Sequence, residues 1–289
     1  MIPVVFVHKG NQDYLKYAIE AAKSNGLSVY LIGDQSNKAI TDNWRCIDKC
    51  IDGRYDLFVQ SYVHMSSNPE KFELLCFERY FALLGFMKAE GLDKCLMLDS
   101  DILVCYPIDQ LEFVKNVKVA FSVPDKQSEF DWVASPHVFF CTVEMLENFV
   151  QFLLDTYKEH TGILTEKFKY HIKQSIKGGI CDMSLLYLWS KEINFLNLYN
   201  CETVFFDHTL QDRQNFKWDI VLMMKKIFIK ENKFYFLHTD TNKLQRVAVV
   251  HFQGSTKSVM GCFYNNQSTL KKTVCRYTDL AKRLIKRMK

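Results

Sequence analysis

Two carboxylates inside an apolar segment carry the strongest chemical signal in this sequence. Residues 94–105 read KCLMLDSDILVC, so Asp99 and Asp101 interrupt a run of apolar side chains. A buried carboxylate without a partner is costly, and a divalent cation that prefers oxygen ligands, Mg²⁺ or Mn²⁺, would compensate both charges. The segment therefore predicts a metal site at Asp99 and Asp101. The alternative is a turn in which the two aspartates only cap the chain.

An arginine lies on the apolar face of the helix predicted over residues 69–90. Arg79 falls on the stripe formed by Phe72, Leu75, Cys76, Leu83, Phe86 and Met87. A guanidinium on a buried face either forms a salt bridge with a neighbouring element or points at an anionic ligand or a carboxylate cluster. The spacing leaves both interpretations open.

Two further polar residues stand at the ends of apolar elements. Asp182 precedes the apolar helix predicted over residues 183–189, where an acid in the first turn is also what a helix N-terminus favours. His251 ends the strand predicted over residues 246–251. Taken alone, Asp182 indicates a helix cap and His251 a packed residue at a strand edge.

The start of the chain predicts a βαβ unit. Residues 2–7 and 28–32 read as buried strands, and residues 11–24 between them have helical periodicity. A further strand is expected over residues 117–123 and a helix over residues 144–157. Such a unit favours a parallel sheet that binds ligands at the carboxyl ends of its strands. The absence of G-x-G-x-x-G and Walker A motifs argues against a dinucleotide-binding domain or a P-loop enzyme.

Composition places the chain among globular proteins. It has 289 residues, 48% of them hydrophobic and 14% aromatic, with only 11 Gly and 5 Pro. The chain carries no apolar run of about 18 residues that would cross a bilayer, and its start reads as a strand rather than a signal peptide. Ten cysteines without a C-x-x-C motif indicate reduced thiols rather than disulfides or structural zinc. We therefore expect a cytoplasmic protein.

Positive charge is concentrated at the C-terminus. Residues 268–289 carry eight Lys/Arg against one Asp, a net charge of +7, so the rest of a chain with net charge +4 sums to −3. This distribution argues against a nucleic-acid partner for the body of the protein. Apolar residues recur with helical spacing at Leu270, Val274, Tyr277, Ala281, Leu284 and Met288.

The tail is therefore expected to be a basic amphipathic helix. One interpretation is peripheral contact with an anionic membrane surface, on the cytoplasmic face of the membrane. The alternative is that the apolar stripe packs on the body or on a partner subunit.

Taken together, these segments resemble the GT-A-fold glycosyltransferases, in particular glycosyltransferase family 8 and related bacterial and viral surface-glycan transferases. Two motifs carry the resemblance: Leu98-Asp-Ser-Asp-Ile-Leu-Val and His251-Phe-Gln-Gly-Ser-Thr-Lys257, each at a strand end. The resemblance spans roughly residues 2–258 and implies an α/β fold with a mainly parallel mixed sheet flanked by helices. It implies one GT-A domain over residues 1–267, with a nucleotide-binding half (about 1–125) and an acceptor half (about 126–267), followed by the tail, 268–289.

The resemblance also implies roles for individual residues. Metal ligands for Mn²⁺ or Mg²⁺ would be Asp99, Asp101 and His251. Contacts with the nucleotide and its diphosphate would come from His8, Lys9, Asp34, Arg79, Ser100, Gly254 and Lys257. Aromatic and polar segments, expected to be loops, would offer Trp132, Asp207 and His208 to the acceptor.

One motif departs from the family pattern. Family 8 shows an Asp-Gln-Asp triplet where this chain has Ile180-Cys181-Asp182, so Asp182 matches the last acid and Cys181 replaces the glutamine. The resemblance implies transfer with retention of configuration and a catalytic role for Asp182. Inversion, with Asp182 as the general base for the acceptor hydroxyl, is chemically as simple.

The function expected from these patterns is metal-dependent transfer of a sugar from a nucleotide-diphosphate sugar, such as a UDP-sugar, to a glycan or glycolipid acceptor, as in polysaccharide biosynthesis. The first alternative is a nucleotidyltransferase acting on sugar phosphates, which would release pyrophosphate. The second is a non-enzymatic membrane-surface adaptor that uses the basic tail. A phosphatase of the haloacid dehalogenase type is disfavoured because Ile102 follows the Asp-x-Asp motif.

Overall fold

The computed structural model describes the chain except residues 1, 126, 160, 202 and 289, and only the backbone of residues 287 and 288. The predicted βαβ unit is present as β1 (Val4–His8), α1 (Asp13–Ser24) and β2 (Val29–Gly33). Helix α1 places Asp13 in its first turn and Lys23 in its last turn, which matches the helix dipole at both ends. Gly26 follows α1 with φ +79°, a conformation that favours glycine.

The other elements follow in chain order. The first group contains β3 (Trp44–Cys46), α2 (Ile47–Cys50), α3 (Gly53–Ser61), α4 (Glu70–Glu90), β4 (Lys94–Leu98), β5 (Ile102–Val104), α5 (Phe113–Asn116), β6 (Val119–Ser122), β7 (Ser135–Thr142), α6 (Val143–Glu159), α7 (Thr161–Lys173) and α8 (Asp182–Trp189). The second group contains β8 (Leu196–Asn197), β9 (Phe205–Phe206), β10 (Trp218–Asp219), β11 (Met224–Lys225), β12 (Phe228–Lys230), β13 (Lys233–Leu237), β14 (Leu244–His251), α9 (Lys257–Tyr264) and α10 (Thr269–Met288).

The main sheet has seven strands in the order β3-β2-β1-β4-β7-β6-β8. Strands β1 to β4 pair in parallel, whereas β7 is antiparallel to both β4 and β6. The expectation of a loop over residues 131–140 is wrong for most of that segment, because residues 135–142 form β7, an interior strand between β4 and β6. This strand is buried along nearly its whole length, so it lacks the alternation of polar and apolar residues that marks a half-exposed strand.

Helices cover both faces of the main sheet. On β4, Leu96 and Leu98 pack into a core with α1, α9 and the second sheet. Cys95 and Met97, on the opposite face of the same strand, pack into a second core with α4, α6 and α8. This alternation confirms the expected α/β class with a mainly parallel mixed sheet flanked by helices.

A second sheet receives the chain immediately after β4. Its strands run in the order β12-β13-β14-β5, and β9 pairs with β14. The apolar segment 94–105 is thus two strands in two different sheets, joined by the Asp99-Ser100-Asp101 turn. The turn therefore lies where the two sheets meet.

The C-terminal helix α10 is present and packs on α9. None of the helices that the structure describes is both long enough and apolar enough to cross a lipid bilayer. All ten cysteines lie in the described part of the chain and are free thiols.

Candidate active site

Strand pairing brings Asp101 and His251 together although they are far apart in the sequence. Ile102 at the start of β5 pairs with His251 at the end of β14. The backbone N–H of Phe252 donates to the carbonyl of Asp101 at 2.9 Å, which closes the same corner. Asp101, the residue before β5, and His251, the last residue of β14, are therefore neighbours. The resemblance implied this, since it assigned both residues to one metal site.

Three side chains at this corner form a candidate metal centre. One oxygen each of Asp99 and Asp101 and one ring nitrogen of His251 lie within 4.8 Å of one another. Nδ1 of His251 donates to the carbonyl of His208 at 2.6 Å, which leaves Nε2 directed at Asp101, 3.4 Å away. Two carboxylates and one imidazole with a fixed second nitrogen are a donor set that suits Mn²⁺ or Mg²⁺.

The charges around Asp101 are strongly coupled. Burial alone would raise the pKa of this carboxyl, but His251 and Lys257 together lower its pKa to about 2. Burial would lower the pKa of His251, but the Asp101 carboxylate raises it to about 9. In the metal-free protein His251 is therefore protonated near neutral pH, and a bound cation has to displace that proton. The Nζ of Lys257 lies 3.0 Å from the other oxygen of Asp101.

Arg79 joins the candidate metal centre to Asp182. Its Nη1 lies 2.7 Å from Asp99, and its Nη2 donates to Asp182, which also accepts a hydrogen bond from the Tyr80 hydroxyl at 3.0 Å. Arg79 thus forms salt bridges with neighbouring elements and points at a carboxylate cluster, so both interpretations of its position in the sequence hold. Asp182 is the first residue of α8, whose N-cap position belongs to Cys181, so it lies in the first turn as expected. Its carboxylate in addition pairs with side chains of α4.

A buried ion pair, formed by Asp207 and Lys225, contacts the backbone of His251. The backbone N–H of His251 donates to Asp207 at 3.1 Å, and the other oxygen of Asp207 lies 2.6 Å from Nζ of Lys225. The ring of His137 stacks on that of His251 with 5.0 Å between centroids. Burial, reinforced by the His251 charge, lowers the pKa of His137 well below its usual value. His137 is therefore a neutral ring that packs against the candidate metal centre.

An open cleft of about 310 Å³ leads to these residues. That volume is at the lower end of the range for small-molecule sites. The described residues that line it are Val7, His8, Lys9, Gln12, Tyr14, Phe72, Leu75, Cys76, Arg79, Asp99, Ser100, Asp101 and Lys257. One wall is the apolar face of α4, and the other carries the carboxylates and Lys257.

Seven predicted site residues therefore line the cleft: His8, Lys9, Arg79, Asp99, Ser100, Asp101 and Lys257. Asp34 instead accepts hydrogen bonds from the backbone N–H groups of Gly10 and Ser36, so it shapes the loop after β1. Gly254, with φ +62°, turns the chain between His251 and Lys257.

The three residues predicted to contact an acceptor lie outside this lining. Trp132 is buried and stacks on Tyr187, with the Lys167 ammonium 3.8 Å from its ring centroid. Asp207 is fully buried, and its position gives it a supporting role behind His251 rather than contact with an acceptor. His208 contributes its carbonyl to the orientation of His251. Contact of Trp132 and His208 with an acceptor stays a prediction.

Sequence reasoning missed several residues that complete the site. Phe72 was expected on a buried stripe, but it is 54% exposed at the cleft. Tyr80 could have been found as the neighbour of Arg79. No sequence pattern marked Lys225 or His137 as part of the site. Each contacts the site only because the fold brings together segments that are distant in the sequence.

No family model matches the chain, and no curated protein matches it. Solved structures do. Mouse xyloside xylosyltransferase 1 is 11% identical over 68% of this chain and 84% of that chain, with a TM-score of 0.47. A glycosyltransferase involved in the glycosylation of the major capsid of PBCV-1 is 10% identical over 91% of this chain and 99% of that chain, with a TM-score of 0.40.

GlyE from Streptococcus pneumoniae TIGR4, also named a glycosyltransferase, is 17% identical over 68% of this chain and 46% of that chain, with a TM-score of 0.35. These structural neighbours are glycosyltransferases, the class that the sequence resembles, and they do not single out family 8. At these identities and TM-scores they say nothing about the substrate or mechanism of this chain.

Proposed function

We propose that this protein is a metal-dependent glycosyltransferase that moves a sugar from a nucleotide-diphosphate sugar, such as a UDP-sugar, to a glycan or glycolipid acceptor. The observation that carries the proposal is the convergence of Asp99, Asp101 and His251 with Arg79 and Lys257 at one end of an open cleft. Carboxylates and an imidazole that can hold a divalent cation, beside two cationic side chains, suit a ligand with a diphosphate group.

The chemistry of the leaving group explains why such a site would be cationic. A nucleoside diphosphate gains negative charge as the bond to the sugar breaks. A divalent cation held by Asp99, Asp101 and His251 would stabilise that charge. Lys257 would add a second positive group, since its side chain is one-third exposed and lines the cleft.

Salt bridges fix the orientation of the Arg79 guanidinium in the site. The guanidinium is held by Asp99 on one side and by Asp182 on the other. If Asp182 took a proton from an acceptor hydroxyl, this buried pair would lose its charge balance. We therefore assign Asp182 the role of orienting Arg79 toward the donor sugar, and the role of general base is the alternative that the pH profile tests. The first assignment is compatible with retention and the second with inversion.

One observation disfavours a nucleotidyltransferase. That class would need basic groups after the first strand that are free to bind a nucleoside triphosphate. Lys9 is the lysine of that loop, and its Nζ forms a salt bridge with Glu78 at 2.6 Å. The pair leaves Lys9 little freedom to bind additional phosphate, and it weighs equally against the nucleotide contact that the resemblance implies for Lys9.

Product analysis tests the proposal. The purified protein is incubated with a panel of nucleotide sugars, with Mn²⁺ present or absent, and the released nucleotide is separated by chromatography. We expect Mn²⁺-dependent release of nucleoside diphosphate, and a fall of roughly 100-fold or more in Asp101→Asn. Asp93→Asn at the opposite, exposed end of β4 is the matched control and should keep full turnover. Undiminished activity in Asp101→Asn, or release of pyrophosphate, would overturn the proposal.

A further inference from the structure

We propose that the outward face of α10 docks on an anionic lipid bilayer. The docking surface is the outward apolar stripe of this helix. Its members are 48–75% exposed: Leu270 (75%), Val274 (57%), Tyr277 (48%), Leu284 (60%) and Ile285 (57%). Five large apolar side chains on one face of one helix are more than the scattered exposed residues of an ordinary surface.

The opposite face of α10 holds the helix to the body. Cys275 meets Cys262 of α9, with 3.2 Å between the sulfur atoms. Arg276 is only 2% exposed, and Arg283 donates to the carbonyl of Gly254 at 3.2 Å. Because this face is occupied, the apolar stripe points away from the protein. The alternative that the stripe packs on the body is therefore wrong.

The tip of the β10–β11 hairpin also carries exposed apolar side chains. Ile220, Val221 and Met223 are 83%, 46% and 51% exposed, whereas Leu222 between them is buried. Nε of Arg276 donates to the carbonyl of Leu222 at 3.0 Å. The hairpin therefore helps to hold the body-facing side of α10, which is opposite the apolar stripe.

The positive charge of the tail indicates what this surface binds. Exposed lysines at positions 271 and 282 border one side of the stripe, and the exposed Lys286 lies farther round the helix. The tail carries +7 against −3 for the rest of the chain. An apolar stripe bordered by lysines suits the boundary between acyl chains and anionic headgroups. A second copy of this chain would bring two such tails together and would be repelled. The negative body would turn away from an anionic bilayer, so binding would also orient the molecule.

This inference does not rest on the proposed function, because lipid binding needs no chemistry in the cleft. Lipid binding by α10 and glycosyl transfer in the cleft would nevertheless be related through the structure. Arg283 of α10 bonds to Gly254, which lies in the loop between His251 and Lys257. Docking through α10 would therefore keep the cleft near the bilayer, where a lipid-linked acceptor resides.

Co-sedimentation of the full chain with vesicles tests the proposal. The vesicles contain phosphatidylcholine and phosphatidylglycerol in equal parts, or phosphatidylcholine alone. We expect wild-type protein to pellet with the anionic vesicles only, and less so at high salt. Changing Lys271, Lys282 and Lys286 to Gln should weaken binding on the order of 100-fold, from about fivefold per charge. Leu284→Gln with Ile285→Gln should weaken it about 100-fold, from roughly tenfold per side chain.

Matched variants on α7 and the loop after it, on the other face of the main sheet, control for charge and apolarity. Lys169, Lys173 and Lys177 are also exposed, and so are Ile163 (45%) and Ile172 (63%). Gln at these positions should leave binding unchanged, and circular dichroism checks that each variant is folded. Wild-type protein that stays in the supernatant, equal pelleting of α10 and α7 variants, or equal binding to neutral vesicles would overturn the proposal. So would a dimer, seen by light scattering, that Leu284→Gln with Ile285→Gln dissociates.

Discussion

The Nζ of Lys225 lies 2.6 Å from Oδ1 of Asp207, and neither side chain is exposed. The second oxygen of Asp207 accepts the backbone N–H of His251 at 3.1 Å. Gln214 also accepts a hydrogen bond from Lys225 at 2.5 Å. A buried ion pair of this kind adds little net stability, but removal of one partner leaves an uncompensated charge. The pair thus couples the stability of the second sheet to the position of a candidate metal ligand.

Removing one member of this pair should destabilise the protein strongly. We expect Lys225→Met to lower the free energy of unfolding by about 3–5 kcal/mol, because Asp207 then stays buried without its cation. Lys225→Met combined with Asp207→Asn should cost less than Lys225→Met alone, since the buried charge is gone. Urea denaturation followed by circular dichroism measures both values. A double variant less stable than the single one would contradict a coupled pair.

Metal affinity should rise with pH. Since Asp101 raises the pKa of His251 to about 9, the ring is protonated at neutral pH in the metal-free protein. A cation must displace that proton, so the apparent Mn²⁺ affinity should increase up to about tenfold per pH unit below pH 9. Calorimetry in buffers of different ionisation enthalpy measures both the affinity and the released proton. His251→Gln should remove the proton release, and an affinity independent of pH would exclude His251 as a ligand.

The same pair predicts how the metal-free protein responds to pH. The folded-state pKa of His251 is raised, so its stabilising contribution is complete below about pH 6.5 and is lost as the pH rises through 9. The pKa of Asp101 is lowered to about 2, so its contribution is present above about pH 4 and is lost as the pH falls toward 2. Nuclear magnetic resonance titration of His251 checks the first value. His208 serves as a control. Burial lowers the pKa of His208 to about 4, so its ring should stay neutral over the whole pH range in which His251 titrates.

Substitution of Asp182 and substitution of Arg79 should lower turnover to a similar extent. In Asp182→Asn the guanidinium loses one of its two carboxylate partners, and we expect turnover of the nucleotide sugar to fall by roughly 100-fold or more. If Asp182 orients Arg79, Arg79→Lys should cause a similar loss and both variants should keep the shape of the wild-type pH–rate profile. Loss of the acidic limb in Asp182→Asn alone would instead assign Asp182 as the general base. Tyr80→Phe removes the 3.0 Å hydrogen bond to Asp182 and the 3.3 Å hydrogen bond from Nη2 of Arg79, and should cost about 2 kcal/mol of stability.

Cys262 and Cys275 should form a disulfide on mild oxidation. Their sulfur atoms are 3.2 Å apart, between α9 and α10. Burial raises the pKa of the Cys262 thiol to about 11, so the reaction should be slow at neutral pH and faster in alkali. Thiol titration should show the loss of two of the ten thiols, and mass spectrometry should locate the bond. Cys275→Ser should prevent it. Because the stripe of α10 faces outward, the oxidised protein should still bind anionic vesicles.

The sequence alone determined those features that depend on local patterns. Apolar residues on both sides of Asp99 and Asp101 identified two carboxylates that need compensation, and periodicity located the βαβ unit, α4 and α10 within a few residues. The same reasoning expected a loop where β7 lies in the interior of the sheet. A strand buried on both faces has no alternation to detect, and its place depends on β4 and β6, which flank it.

Only the tertiary structure decided which groups meet. Asp101 and His251 are adjacent because β5 pairs with β14, and Arg79 reaches Asp182 because α4 and α8 pack on the same face of the sheet. The pattern of α10 predicted an apolar stripe, but the direction in which the stripe points depends on the contacts of Cys275 and Arg276 with the body. Contacts between distant segments follow from strand order and helix packing, and a local pattern contains neither.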